Sequence, residues 1–211
     1  PGVPLVVPEV NPEALDRAAG GIVASPASLA IALALPLAPL HAAASLRRLV
    51  VATYQAVSGA GHRGVEQLER EVADLMNGRE PPPPTRFPHR VAFNVVPQVG
   101  EVGEDGVSAE ERTLAADLRR LLGLPDLAVT ATAVRVPVFF GHAAAVHAGF
   151  ERPLAVGAAR EALRGARAVK VLDQPREAVY PMPMLAVNDD AVLVGRLRED
   201  PALAPGLAFV L

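Results

Sequence analysis

The polar residues that attract notice are those in apolar surroundings. Arg135 lies inside Ala128 to Phe140, a stretch dominated by Ala, Thr, Val and Phe. A guanidinium in such a strand needs an anionic partner, either a carboxylate gripped by its fork of donors or a structural ion pair. His142, just after Phe140-Gly141, is by spacing a loop histidine with an imidazole suited to proton transfer near neutral pH. Gln55 closes a Val- and Leu-rich run, where alone it reads as ordinary surface. Glu110 falls in the first turn of a predicted helix, where a carboxylate either complements the helix dipole or meets a ligand. Ser28 opens another predicted helix, and its hydroxyl either partners backbone amides or acts as a nucleophile, which needs a neighbouring base. The other four histidines, His41, His62, His89 and His147, have no metal-ligand spacing. Cysteine is absent from all 211 residues, which removes disulfides, thiolate nucleophiles and thiolate metal sites.

The elements that must hold these groups follow from periodicity. Ser25-Pro26 before an apolar run predicts an N-cap and N1 proline. Leu46 to Ala56 predicts a strand broken by Gly59-Ala-Gly61. A helix is predicted over 65–76, with Val65, Leu68, Val72, Leu75 and Met76 as its apolar face, Glu66–Arg70 as an i,i+4 pair and Asn77-Gly78 as its stop. Pro81 to Pro84 reads as a polyproline loop and Val91 to Val96 as a strand. Ser108-Ala-Glu-Glu111 is a capping box opening a helix with Leu114, Leu118, Leu121 and Leu122 inward and Gly123 at its end. Ala128 to Phe140 predicts a long strand, 156–164 a short helix, and 168–172, 191–197 and 206–211 further strands. The pattern predicts an α+β fold, a mixed and mostly antiparallel sheet with helices packed on one face, occupying 1–211 as one domain.

A hydrophobic fraction of 51% and a mean hydropathy of +0.27 exclude disorder. Twenty basic against 23 acidic residues argue against a nucleic-acid partner or a membrane surface reached by net field. The longest apolar run, Leu29 to Leu40, is interrupted by Pro36 and Pro39 and is too short to span a bilayer; with no leader in view, a cytoplasmic location is the expectation. The opening at Pro1, in the middle of strand-like chemistry, and the close on Gly206-Leu-Ala-Phe-Val-Leu211 read as cuts within a longer protein.

Six stretches taken together resemble the C-terminal half of aspartate-semialdehyde dehydrogenase. They are Val7-Pro-Glu-Val-Asn11, Val23-Ala-Ser-Pro-Ala-Ser28, Thr53-Tyr-Gln-Ala-Val-Ser-Gly-Ala-Gly61, Ala92-Phe-Asn-Val-Val-Pro97, Val134-Arg-Val-Pro-Val-Phe-Phe-Gly-His142 and Gly195-Arg-Leu-Arg198. Their order and gaps agree too, so the resemblance covers essentially the whole chain. It implies a C-terminal domain of the glyceraldehyde-3-phosphate-dehydrogenase type, an absent N-terminal dinucleotide-binding domain, an absent final segment and a homodimer. It also implies a reaction in which a cysteine thiolate attacks aspartate semialdehyde, hydride passes to NADP and phosphate releases aspartyl phosphate.

By that resemblance Ser28 occupies the nucleophile's place, Gln55 orients substrate, Arg135 grips the substrate carboxylate, His142 is the general base and Glu110 contacts the substrate amino group. Three family residues are replaced: the cysteine by Ser28, its asparagine neighbour by Ala27, and a lysine near Glu110 by Thr113. In what it lacks the chain resembles the cysteine-free, Usg-like homologues. The expectation is therefore a dimerisation and catalytic domain that does not run the family reaction. It has room for a small anionic ligand, no metal, no assigned cofactor-binding residues and no stable hold on NADP by itself. An NADP-dependent oxidoreductase with an altered mechanism or substrate, and a non-catalytic assembly module, are the alternatives.

Overall fold

The computed structural model describes residues 2–211; Pro1, the first residue of the strand-like opening, lies outside them. The segment after Pro1 contributes a lone bridge, Leu5 with Ala24. The Val6 and Ala24 amides are bonded across this pair, and the chain stays extended to Ala27, whose ψ is 148°. Helix α1 (Ser28–Ala44) therefore begins at Ser28, and Ser25-Pro26 does not cap it. Its side chains are apolar nearly all round, and Leu29, Leu33, Leu37 and Leu40 are fully buried. A helix with no polar face belongs inside a fold. Pro36 and Pro39 sit within it without ending it. Ser45, with φ of 59°, turns the chain into the sheet, aided by His41 Nδ1, which accepts the Leu46 amide at 3.0 Å.

Strand β1 (Leu46–Gln55) leads through a tight turn to α2 (His62–Met76). The helix starts at His62, three residues before its apolar period; His62 pairs with Glu66 at 3.1 Å, and the expected Glu66–Arg70 pair is not what forms. Leu68 is buried but Met76 is 74% exposed, so the inward face of α2 is shorter than its spacing implied. Helix α3 (Ala109–Leu121) carries the full capping box: the Ser108 Oγ accepts the Glu111 amide and the Glu111 carboxylate accepts the Ser108 amide. Ser108→Ala is expected to cost about 1 kcal/mol, read as a lower urea midpoint at unchanged slope. A midpoint identical to the parent's would deny the cap any role in stability.

Strand β2 (Ala128–Arg135) stops short of the expected Phe140: the Val136 amide makes the last bond of the ladder, to the Gln55 carbonyl, and Pro137 has no N–H to continue it. Strand β3 (Ala143–Phe150) comes next, then α4 (Val156–Arg164), β4 (Val169–Val171), a single turn α5 (Pro183–Ala186), β5 (Val192–Glu199) and β6 (Gly206–Val210). The strands form one sheet in the order β2-β1-β3-β6-β5-β4, with three antiparallel and two parallel neighbours, so the expected mixed sheet is present.

The two faces of the sheet differ. On one, Leu49, Val51, Val146, Leu207 and Phe209 pack beneath α1, α3 and α4 to form the main core. On the other, the register aligns Val50, Ala52 and Tyr54 with Thr130, Thr132 and Val134 on one side and with Ala143, Ala145 and His147 on the other. Among the described residues no helix covers that second face, and Tyr54 is 42% exposed there. Nor is any described helix long and apolar enough to cross a membrane.

Candidate functional site

The site lies where β1 and β2 end side by side, Gln55 opposite Arg135 in register. Both side chains are nearly buried, on the face that carries the helices. Gln55 Nε2 donates to Glu110 Oε1 at 3.2 Å, so the first turn of α3 is tied to the end of β1. Arg135 donates to the Ala56 carbonyl at 2.6 Å, and its guanidinium lies over the Phe87 ring, 5.4 Å from the centroid. Its Nε is buried with no hydrogen-bond partner. A buried donor left without a partner on a charged group is costly, so this atom calls for an acceptor that the protein itself does not supply. Burial lowers the pKa of Arg135, Glu110 opposes that fall, and Arg86 adds to it.

His142 reaches the same point from the segment between β2 and β3. Its Nδ1 accepts the Ala56 amide at 3.1 Å, so the neutral ring carries its proton on Nε2 and offers it as a donor. Residue 59 is a glycine for a steric reason: a Cβ there would lie 3.1 Å from His142 Cε1 and 3.3 Å from an Arg135 terminal nitrogen. His142 and Arg135 thus close on one spot. Burial, and then the Arg135 charge, hold the His142 imidazole below its usual pKa. The folded protein keeps this ring neutral where the unfolded chain already takes up a proton. Its contribution to stability is therefore complete above the unfolded imidazole value and is lost as pH falls through that value toward the lower folded one. The urea midpoint is expected to drop between about pH 7.5 and 5.5, and to drop less in His142→Gln. Parallel curves for the two proteins would show that His142 is not the group responsible.

Four of the five expected site residues, Gln55, Glu110, Arg135 and His142, are thus brought together through β1, Ala56 and α3. The fifth, Ser28, is exposed at the start of α1 and makes no side-chain hydrogen bond to any of them. Asp117 of α3 lies near that helix end; burial raises its pKa, against the pull of Arg120 and of the Ala27 amide. Thr113 is exposed and uncharged.

The segment 85–99 that walls the site was expected to contain a strand over 91–96, and does not. A buried carboxylate holds it in another shape. Glu71 of α2, 2% exposed, accepts the Val91 and Ala92 amides at 2.9 Å each through Oε2, while its Oε1 takes Gln67 Nε2 at 2.7 Å. Gln67 Oε1 in turn accepts the Thr85, Arg86 and Phe87 amides. With those amides committed and Phe93 at φ of 54°, only Val96 reaches β2, as a single bridge to Arg135. Glu71 lies three residues after Leu68 and four before Leu75, on the apolar side of α2, and that placement was its signal in the sequence.

A cleft of about 320 Å³ opens here, lined by Gly59, Arg86, Phe87, Gln98, Glu101 and Arg135 among others. Among the described residues no group of acidic or histidine side chains could hold a metal. Gly59-Ala-Gly61-His-Arg-Gly64 joins a strand to a helix with the glycine spacing of a dinucleotide turn. Two of its three glycines are nevertheless taken up by packing, Gly59 against His142 and Arg135, and Gly64 against the Val57 carbonyl, where a Cβ would come within 2.6 Å. With those two glycines packed against protein, the turn does not present the open backbone that cradles a pyrophosphate.

Residues 37–211 match the family described as semialdehyde dehydrogenase, dimerisation domain. The chain is 41% identical over 210 residues to the aspartate-semialdehyde dehydrogenase of Aquifex aeolicus, covering 99% of this chain and 62% of that protein. It is 39% identical to that of Mycolicibacterium smegmatis, covering 100% of this chain and 64% of the relative. Among solved structures, the aspartate semialdehyde dehydrogenase II of Vibrio cholerae complexed with ASA superposes with a TM-score of 0.95 at 34% identity, over 99% of this chain and 62% of that one. The Candida albicans enzyme with NADP gives a TM-score of 0.70 at 25% identity, over 99% of this chain and 61% of that one. The chain thus spans less than two thirds of the length of these relatives.

Proposed function

The chain belongs to the semialdehyde dehydrogenase family as its dimerisation domain, and from that premise we propose that it is the substrate-binding and subunit-pairing half of an aspartate-semialdehyde dehydrogenase homologue that does not run the family reaction. One contrast carries this reading. Arg135, Gln55, Glu110 and His142 stay assembled as a polar pocket, while the nucleophile's place holds an exposed serine with no base bonded to it. Arg135 then binds a carboxylate through its free Nε, Glu110 attracts an ammonium, Gln55 fixes Glu110, and His142 offers an Nε2 proton to an oxygen of the ligand. A hydroxyl needs a base to become a nucleophile. His142 has given its free lone pair to the Ala56 amide and cannot supply that base in this arrangement. NADP belongs to the part of the full-length relatives that this chain does not span, and the setting is cytoplasmic amino-acid biosynthesis. The direct test is an assay of the full-length protein with NADP, aspartate semialdehyde and phosphate. No NADPH above background is expected, and robust turnover refutes the proposal.

The helix-free sheet face supports pairing of two copies about a two-fold axis. Helix α1 keeps its apolar side chains buried within the subunit, which leaves the face of Val50, Ala52, Tyr54, Val134, Ala145 and Val210. The accessible surface is 11539 Å², whereas a self-contained monomer of this mass is expected to expose about 9,300 Å². The excess is of the size that a homodimer and a neighbouring domain would cover. Sedimentation at micromolar concentration is expected to give a dimer. A monomer would mean that this face does not pair.

A further inference from the structure

Two guanidinium groups line the cleft beside the site, and among the described residues neither has an ion-pair partner. Arg135 is buried with its Nε unpaired. Arg86 is exposed at the mouth and close enough for its charge to act on Arg135. Its Nε donates to the Ala60 carbonyl at 3.1 Å, which leaves its terminal nitrogens uncommitted. Its backbone is held as well, because the carbonyl oxygen of Gln67 collects the amides of Thr85, Arg86 and Phe87. Two unpaired like charges in one cleft repel, and a bound pair of anionic groups removes that repulsion. The acidic groups present are Glu101 on the cleft wall and Glu110 within the field of Arg135. Two cations and two carboxylates complement a ligand that carries two anionic groups and an ammonium.

We propose that Arg86 is a specificity-determining residue of this cleft, receiving the second anionic group of an acidic amino acid, or of its acyl derivative, whose α-carboxylate is held by Arg135. The proposal rests on the reading of Arg135 as an anion-binding residue and adds to it one residue, Arg86, that selects for the second anionic group. An amino acid with an uncharged side chain fills the Arg135 end only, so the discrimination resides in Arg86.

The test is calorimetric titration of the full chain with L-aspartate and L-alanine, which differ in the second carboxylate. The unmodified protein is expected to bind aspartate more tightly. Arg86→Gln is expected to weaken aspartate by about tenfold, the loss of one charge-assisted hydrogen bond, and to leave alanine unchanged. Arg86→Lys is expected to recover part of that loss. Arg86 is exposed, so neither change threatens folding. Equal effects on the two amino acids, or none, overturn the role of Arg86 while Arg135→Gln still abolishes binding and upholds the pocket. If neither amino acid binds the unmodified chain, or if Arg135→Gln binds normally, the pocket reading falls as well.

Discussion

Ser28→Cys in the full-length protein is expected to leave NADPH formation from aspartate semialdehyde and phosphate at least about 10³-fold below that of the cysteine-bearing relatives. Removing a catalytic nucleophile costs on the order of 10⁶ in turnover, so the parent protein starts from background. The new thiol would gain something from its position, since the first turn of a helix favours a thiolate. What it would not gain is the rest of the site. Ala27 and Thr113 stand where the family resemblance puts an asparagine and a lysine; Ala27 has no side-chain donor and Thr113 no positive charge to set against a developing anion. Each such donor is worth about 10² to 10³ in rate. The His142 ring would still have its Nδ1 lone pair committed to the Ala56 amide and its proton on Nε2. Turnover within tenfold of the relatives would show that the cysteine alone separates this chain from them.

Glu71→Ala is expected to be the most damaging single change outside the apolar core, at about 2–5 kcal/mol, read from urea unfolding. The carboxylate is 2% exposed and takes three donors, the amides of Val91 and Ala92 and the Gln67 side chain. Truncation leaves buried donors without acceptors, the expensive direction of the hydrogen-bond balance. It also frees Gln67, which aligns Arg86 and Phe87, so anion binding at Arg135 is expected to weaken in parallel. Glu66→Ala, one turn earlier on the exposed side of α2, is the control and is expected to change stability by less than about 0.5 kcal/mol. Equal effects at the two positions would mean that the buried network does not carry the 85–92 segment.

Elements defined by local chemistry are legible in the amino-acid sequence alone. The α3 capping box, the C-terminal end of α2, both ends of α4, and the Val- and Leu-rich strands β1 and β5 are settled within a few residues of themselves. Strand β3, Ala143–Phe150, was not legible, since alanine has little strand preference and the segment becomes a strand only between β1 and β6. The opposite error occurred at 91–96, where β-branched residues promised a strand and a carboxylate from 20 residues earlier took the amides that strand required. Arg135 declared itself as a charge in apolar company. Its neighbours did not, because Phe87, Ala56 and Gly59 carry no signal for the contact they make with it.

The pairing of β1 also sets a timetable for the nascent chain. Leu49 finds its neighbours in Val129 and Ala148, and none of the strands beside it comes sooner. At about 5–20 residues per second, the roughly 80 residues between Leu49 and Val129 take on the order of 4–16 s to synthesise. Throughout that interval the wholly apolar α1 and an unpaired, Val-rich strand are outside the ribosome without the sheet that will cover them. Long-range pairing of this kind slows folding and lengthens exposure to aggregation. A cell making this protein therefore has reason to shield residues 28–55 during translation, and its yield should depend more on holdase supply than its finished stability would suggest.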